Sequence, residues 1–272
     1  MTAITRDMAR VAGGTVWLDR AARLWFCTAC VGQLAFIYFI LAFYGARTIG
    51  GDFAAWNDKP LIDGHIPGDG VGNMMFAVHV AMAAVVTLGG LLQLVPALRR
   101  RWPGVHRWNG RFFLVFAGAA ALGGLWLTWG RGTYLSAVSA VAITLDGLLI
   151  LGCGLAAWRL AVARRYDRHR AWALRTFMVV NGVWFLRVAM MAWVLMNQGP
   201  RGMTATLSGP ADIGLVFGSY LIPLAGLELY LFAQRSCNGL VKPVAAGVIG
   251  GLTAVMALGI FGTIAFMWGP HL

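Results

Sequence analysis

Acidic residues are nearly missing from this sequence: 10 Asp and Glu stand against 22 Lys and Arg in 272 residues, and Glu228 is the lone glutamate. Charge of either sign is scarce, at 12% of residues, while 59% are hydrophobic and the mean hydropathy is +0.71. A soluble domain is excluded, because so few polar residues cannot cover a core. Cysteine is rare too: Cys27, Cys30, Cys153 and Cys237 all fall in the half of the chain expected to face a reducing compartment, which argues against structural disulfides. Neither G-x-S-x-G nor H-E-x-x-H occurs, so the common serine and zinc hydrolase signatures are absent. The last apolar span has no lysine for a retinal Schiff base, and no internal repeat is evident, which weighs against an inverted-repeat transporter. A net charge of +12 would point to nucleic acid in a soluble protein. Here the basic residues serve topology and anionic lipid headgroups, and nucleic acid is not an expected partner.

What the sequence does have is seven apolar spans, each near the ~20 residues that cross ~30 Å of hydrocarbon. They run Leu24 to Tyr44, Met74 to Leu98, Phe112 to Trp129, Ala137 to Leu160, Trp172 to Met196, Ile213 to Phe232 and Pro243 to Trp268. Arginine and lysine concentrate in alternate gaps: Arg6, Arg10, Arg20 and Arg23; Arg99, Arg100, Arg101, Arg107 and Arg111; Arg164, Arg165, Arg168 and Arg170; Arg235 and Lys242. The other gaps hold only Arg47, Lys59, Arg131 and Arg201. Basic loops resist translocation, so the expected fold is an all-α, polytopic bundle of seven transmembrane helices, N-in and C-out. Residues 1–272 form one membrane domain, with a cytoplasmic segment 1–23 and a long outer loop 45–73. The first span follows a polar stretch without a small-residue cleavage site and reads as a retained helix. Trp25, Tyr44, Trp129, Tyr134, Trp158, Trp172, Trp193 and Trp268 form interfacial belts. The acids of the outer loop, Asp52, Asp58, Asp63 and Asp69, follow no calcium-loop pattern and read as a solvated surface.

Ionisable residues inside hydrocarbon are costly and mark function by default. Asp146 and Arg187 each lie roughly 21 to 23 Å from the basic ends of their spans at 1.5 Å per residue. Their matched depth predicts a buried ion pair across a helix hairpin. Glu228 is expected to pair with Arg175 in the same way. Cys27 and Cys30 share a helix face, which suits a metal or redox site but also plain small-residue packing.

His79 sits in the outer half of the second span. His106 and His169 open two rising helices in segments that echo each other, His106-Arg107-Trp108-Asn109-Gly110-Arg111 and His169-Arg170-Ala171-Trp172-Ala173-Leu174-Arg175. An outer-half His, a basic turn ending in H-R-W-x-G-R, two further spans and then H-R-x-W-x-x-R make the chain, over roughly Met74 to Met196, resemble a bacterial membrane-protein family known as a domain of unknown function (number twenty-three-zero-six). Ala173 stands where that family usually has methionine. The resemblance implies a multi-pass protein of the bacterial inner membrane and supplies no activity or substrate. A fainter similarity runs to di-haem transmembrane cytochromes b, whose four His ligands form two layers; this chain offers one outer His and two inner. His106 and His169, at equal depth, suit the axial positions of one haem b, with Arg107, Arg111, Arg170 and Arg175 toward its propionates and His79 as an outer candidate. Interfacial anchoring on lipid phosphates accounts for the same residues. Three functions stay open: electron transfer through haem or quinone with a redox partner, transport or lipid binding, and an accessory role in a membrane complex.

Overall fold

The computed structural model describes residues 3–59 and 62–272, of which 3–12 are described as backbone only. The side chains of Arg6 and Arg10, used in the charge count, lie outside the described residues. Helix is the sole regular structure among the described residues. The long helices are α1 (Ala3–Phe39), α2 (Gly70–Leu94), α3 (Pro103–Trp129), α4 (Ala137–Val162), α5 (Tyr166–Val180), α6 (Gly182–Met196), α7 (Pro210–Arg235) and α8 (Val241–Gly262). Among the described residues six helices are long and apolar enough to cross a membrane, and seven if α5 and α6, bent by 55° at their junction, are counted together as one span. Backbone polar groups must be satisfied internally in lipid, which is why each span is helical.

Helix α1 ends in a π-helical turn, Ile40–Gly45, and α8 ends in another, Thr263–Trp268. The two lie side by side: the Trp268 ring stacks on Phe36 at 5.4 Å and on Phe39 at 5.6 Å. Small residues let the helices touch. Any side chain at Gly259 would collide with the Val188 carbonyl, and one at Gly32 would collide with Ile260 and Trp184. The core runs through Phe36, Phe43, Phe177, Trp184, Val188 and Ile260, contributed by α1, α5, α6 and α8.

The long connection before α2 is folded, with Asp52, Asp58 and Asp63 exposed as expected of a solvated surface and Asp69 engaged. Trp56 is buried at 3% exposure. Asn57 accepts from the backbone N–H groups of Gly64 and His65 and donates to the His65 carbonyl. Arg131, whose side chain is only 3% exposed, donates from Nε to Asp69 Oδ2 at 2.8 Å and from Nη2 to Asn73 at 2.7 Å, and also reaches the Gly64 carbonyl. Asp69 in turn accepts from the Gly72 N–H and caps α2. One arginine therefore locks this loop onto the ends of α2 and α3. The end of the bundle that carries it is the loop end; the opposite end, with the arginine-rich turns, is the basic end.

Candidate functional site

The fifth span breaks because Asn181 competes with the helix backbone. Its Nδ2 donates to the Phe177 carbonyl at 2.7 Å, its backbone sits at φ −91°, ψ 9°, and Gly182 restarts the helix as α6. Gln33 of α1 reaches across and donates to Asn181 Oδ1 at 3.0 Å, while the Trp184 indole donates to the Gly32 carbonyl at 3.3 Å. Asp146 of α4 lies so close to the restart that a side chain at Gly182 would collide with its carboxylate. Three polar atoms in this region are buried and have no hydrogen-bond partner: Asp146 Oδ1, Gln33 Oε1 and the Tyr220 hydroxyl of α7. The Asp146 charge also bears on Tyr220. Such orphans are costly, because each loses its water without replacement. Pro223 removes a further backbone donor from α7 one turn beyond Tyr220.

Asp146 and Arg187 do not pair. The ion pairs among the described residues are Arg47 with Asp58, Arg131 with Asp69 and Arg175 with Glu228. The reason is azimuth. Arg187 follows Gly182 by five residues, which rotates it about 140° around α6 at 100° per residue, away from the face that Asp146 touches. It points toward α1 and α2 instead. Its Nη1 donates to the Val183 carbonyl at 3.0 Å, and its guanidinium lies 5.7 Å from the Phe36 ring centre. Tyr44, His79 and Lys59 all feel its charge.

His79 packs against Gly123 and Gly124 of α3, beside the Ala120 carbonyl, and its Nδ1 is buried without a partner. At the basic end the charges of Arg99 and His169 both bear on His106. The arginines do not join them. Arg107 is exposed, Arg111 lies over the Trp108 ring at 4.7 Å, Arg170 donates to Gln234 at 3.2 Å, and Arg175 makes a two-pronged bond to Glu228 at 2.6 and 2.8 Å. The pairing of Arg175 with Glu228 follows the sequence expectation.

The echoing segments hold helices to their neighbours. Asn109 donates to the Gly89 carbonyl at 2.8 Å and to Gln93 at 3.1 Å, and Gly110 leaves room for the Gln93 amide, so this segment ties α3 to α2. His169 Nδ1 is bonded to the Ala157 carbonyl at 2.9 Å, which ties α5 to α4. Sequence reasoning missed Asn109, Asn181 and Tyr220. A single Asn-Gly inside an apolar span is the signal that marks the break at Asn181. Cys27 is exposed and Cys30 half-buried, both as free thiols.

A bundle of apolar helices with one broken span and ionisable groups in its interior is a polytopic integral membrane protein. The model of the family described as predicted membrane protein (DUF2306) matches residues 76–222, more than half of the chain, and the chain belongs to that family. The matched stretch contains Asp146, the break at Asn181, Arg187 and Tyr220. Neither the curated proteins nor the solved structures yielded a match.

Proposed function

We propose that this protein is a membrane transporter whose solute or coupling ion passes the break in the fifth span. The observation that supports it is two ionisable groups of opposite kind at the interrupted helix, Arg187 on α6 and Asp146 of α4 against Gly182, neither of which has an ion-pair partner among the described residues. Non-helical backbone at membrane depth is tolerated where it is buried or lines a cavity, and intramembrane charges mark ion and substrate paths. Asp146, with the Tyr220 hydroxyl and Gln33 beside it, is the group in this reading that takes up and releases a proton or a small cation. The reading sets the basic end in the cytoplasm of a bacterial inner membrane, N-in and C-out, on the arginine asymmetry. The test is flux in proteoliposomes under an imposed pH gradient, followed with an entrapped pH-sensitive dye. Wild type dissipates the gradient faster than empty vesicles and Asp146→Asn does not; equal rates for all three preparations refute the reading.

A second reading, electron transfer through haem b, rests on the electrostatic influence of His169 on His106. The Ala157 carbonyl occupies His169 Nδ1, so Nε2 is the nitrogen free for iron. A Soret band in the purified protein, lost in His106→Ala and in His169→Ala, supports it; a colourless protein removes it.

A further inference from the structure

Arg187 is a cation without a counter-charge. Of its five N–H donors, the hydrogen bonds show one in use, toward its own helix at Val183. The Phe36 face offsets part of the cost, since a cation over an aromatic ring contributes ~0.5–2 kcal/mol, but a lone charge in hydrocarbon costs more than that. No carboxylate among the described residues forms an ion pair with Arg187. Lys59, from the folded loop, adds a second positive charge and sits 5.7 Å from the Tyr44 ring. His79 of α2 and Tyr44 of the π turn complete the surroundings. The one acid that reaches the group is Asp63, which acts on Lys59 and is exposed. Arg47, the other cation at this end, already has Asp58 at 3.7 Å.

Arg187, His79, Tyr44 and Lys59 come from α6, α2, the end of α1 and the loop, and each keeps partial exposure rather than being sealed in the core. The irregular backbone at this point fits the same picture: the π turns Ile40–Gly45 and Thr263–Trp268 flank the site, and Thr263 donates to the Arg187 carbonyl at 3.5 Å. Helices of this π type recur at functional sites.

We propose that this cluster binds an anionic group, a carboxylate or a phosphate, gripped by the Arg187 guanidinium with Lys59 and the Tyr44 hydroxyl as further donors. A planar guanidinium meets either group through two parallel hydrogen bonds, and the anion supplies the charge that the chain omits. The proposal deepens the transport reading by naming the substrate class, and it rests on that reading only for the statement that the anion is carried.

Purified wild type in detergent is titrated with inorganic phosphate and with benzoate while thermal unfolding is recorded, and its bound phospholipid is identified by native mass spectrometry. A midpoint that rises with either free anion in wild type, and needs about tenfold more anion or fails to rise in Arg187→Gln, supports a site for soluble anions. One phosphatidylglycerol retained per protein, lost in Arg187→Gln, with no response to free anions, supports the same site filled by a lipid headgroup. Lys59→Gln and Tyr44→Phe, at the rim, report the same loss more weakly if Arg187→Gln fails to fold. Anion and lipid binding that are the same in wild type and in these variants overturn the site. Binding without flux removes transport and leaves the site standing; flux without anion binding does the reverse.

Discussion

The two ends of the bundle treat their charges in opposite ways. At the basic end the conspicuous residues have protein partners: Arg175 with Glu228, Arg170 with Gln234, His169 with the Ala157 carbonyl, Lys242 with Thr15. Toward the loop end, Arg131 is fully engaged by Asp69, Asn73 and Gly64, yet deeper in the same half Arg187 and Asp146 are left without counter-charges. Residues that make a loud sequence motif are spent on holding helices together. The quiet ones, a lone Asp and a lone Arg in apolar runs, carry the unmet electrostatic demand, and unmet demand is where a ligand or proton contributes most.

The strongest way to break this contrast is at the quiet residues. Asp146→Asn and Arg187→Gln are each expected to abolish flux while leaving the fold intact, because neither removal strands a partner charge. Their effects on thermal stability should add, and a coupling above ~0.5 kcal/mol in the double mutant would show that the two charges sense each other after all.

Next in size is the loop clamp. Arg131→Ala should lower the melting temperature by several degrees and open the segment 50–69 to proteolysis, whereas Arg111→Ala, at the other end, should do neither. The Arg131 guanidinium and the Gly72 N–H hold the Asp69 carboxyl below its ordinary range. A depressed carboxyl contributes stability above its unfolded value that is lost as pH falls through the folded one, so wild type should lose this contribution only in strong acid, and Arg131→Ala should lack it throughout.

Lys59 sharpens the comparison through pH. Burial, and then the charge of Arg187, push its ammonium down to about 8 from 10.5. Between those values the unfolded chain binds more protons than the folded one, so stability rises with pH across that window. Lys59→Gln should flatten the rise in a series of melting curves from pH 7 to 11. In wild type, a bound anion should shift its onset upward by favouring the charged ammonium; a rise that persists in Lys59→Gln assigns it to another group.

The smallest effect is expected at the best-formed ion pair. Glu228 is 47% exposed and Arg175 22%, so Glu228→Gln should cost ~1 kcal/mol or less and leave flux near wild type. A loss of flux there would move the functional centre to the basic end.

Much of this was readable from residues alone. The spans emerge at their expected places because length and hydropathy are local, and Arg175 meets Glu228 because both point into one interface near the same membrane depth. At the basic end the charges of Arg99 and His169 bear on His106. The arginines around them scatter, because a flexible interfacial side chain takes the nearest partner available, and Gln234, Trp108 and Glu228 are nearer. That the long loop is folded was not legible in the sequence, since its order comes from Arg131, some sixty residues away in the chain from Asp69.

Depth and azimuth divide what the sequence determined from what the tertiary structure decided. The sequence by itself determined how many spans there are and how deep each ionisable residue lies, because a helix advances 1.5 Å per residue whatever surrounds it. It also determined the family, through the residues of the second to sixth spans. Only packing decided which way each side chain faces. Asp146 and Arg187 share a depth, but about a third of the way along α6 the helix has turned Arg187 toward Phe36 and Tyr44 while Asp146 rests on Gly182. That rotation depends on contacts among α1, α4, α6 and α8 that no single segment encodes, and it converts an expected ion pair into two separate, unsatisfied sites.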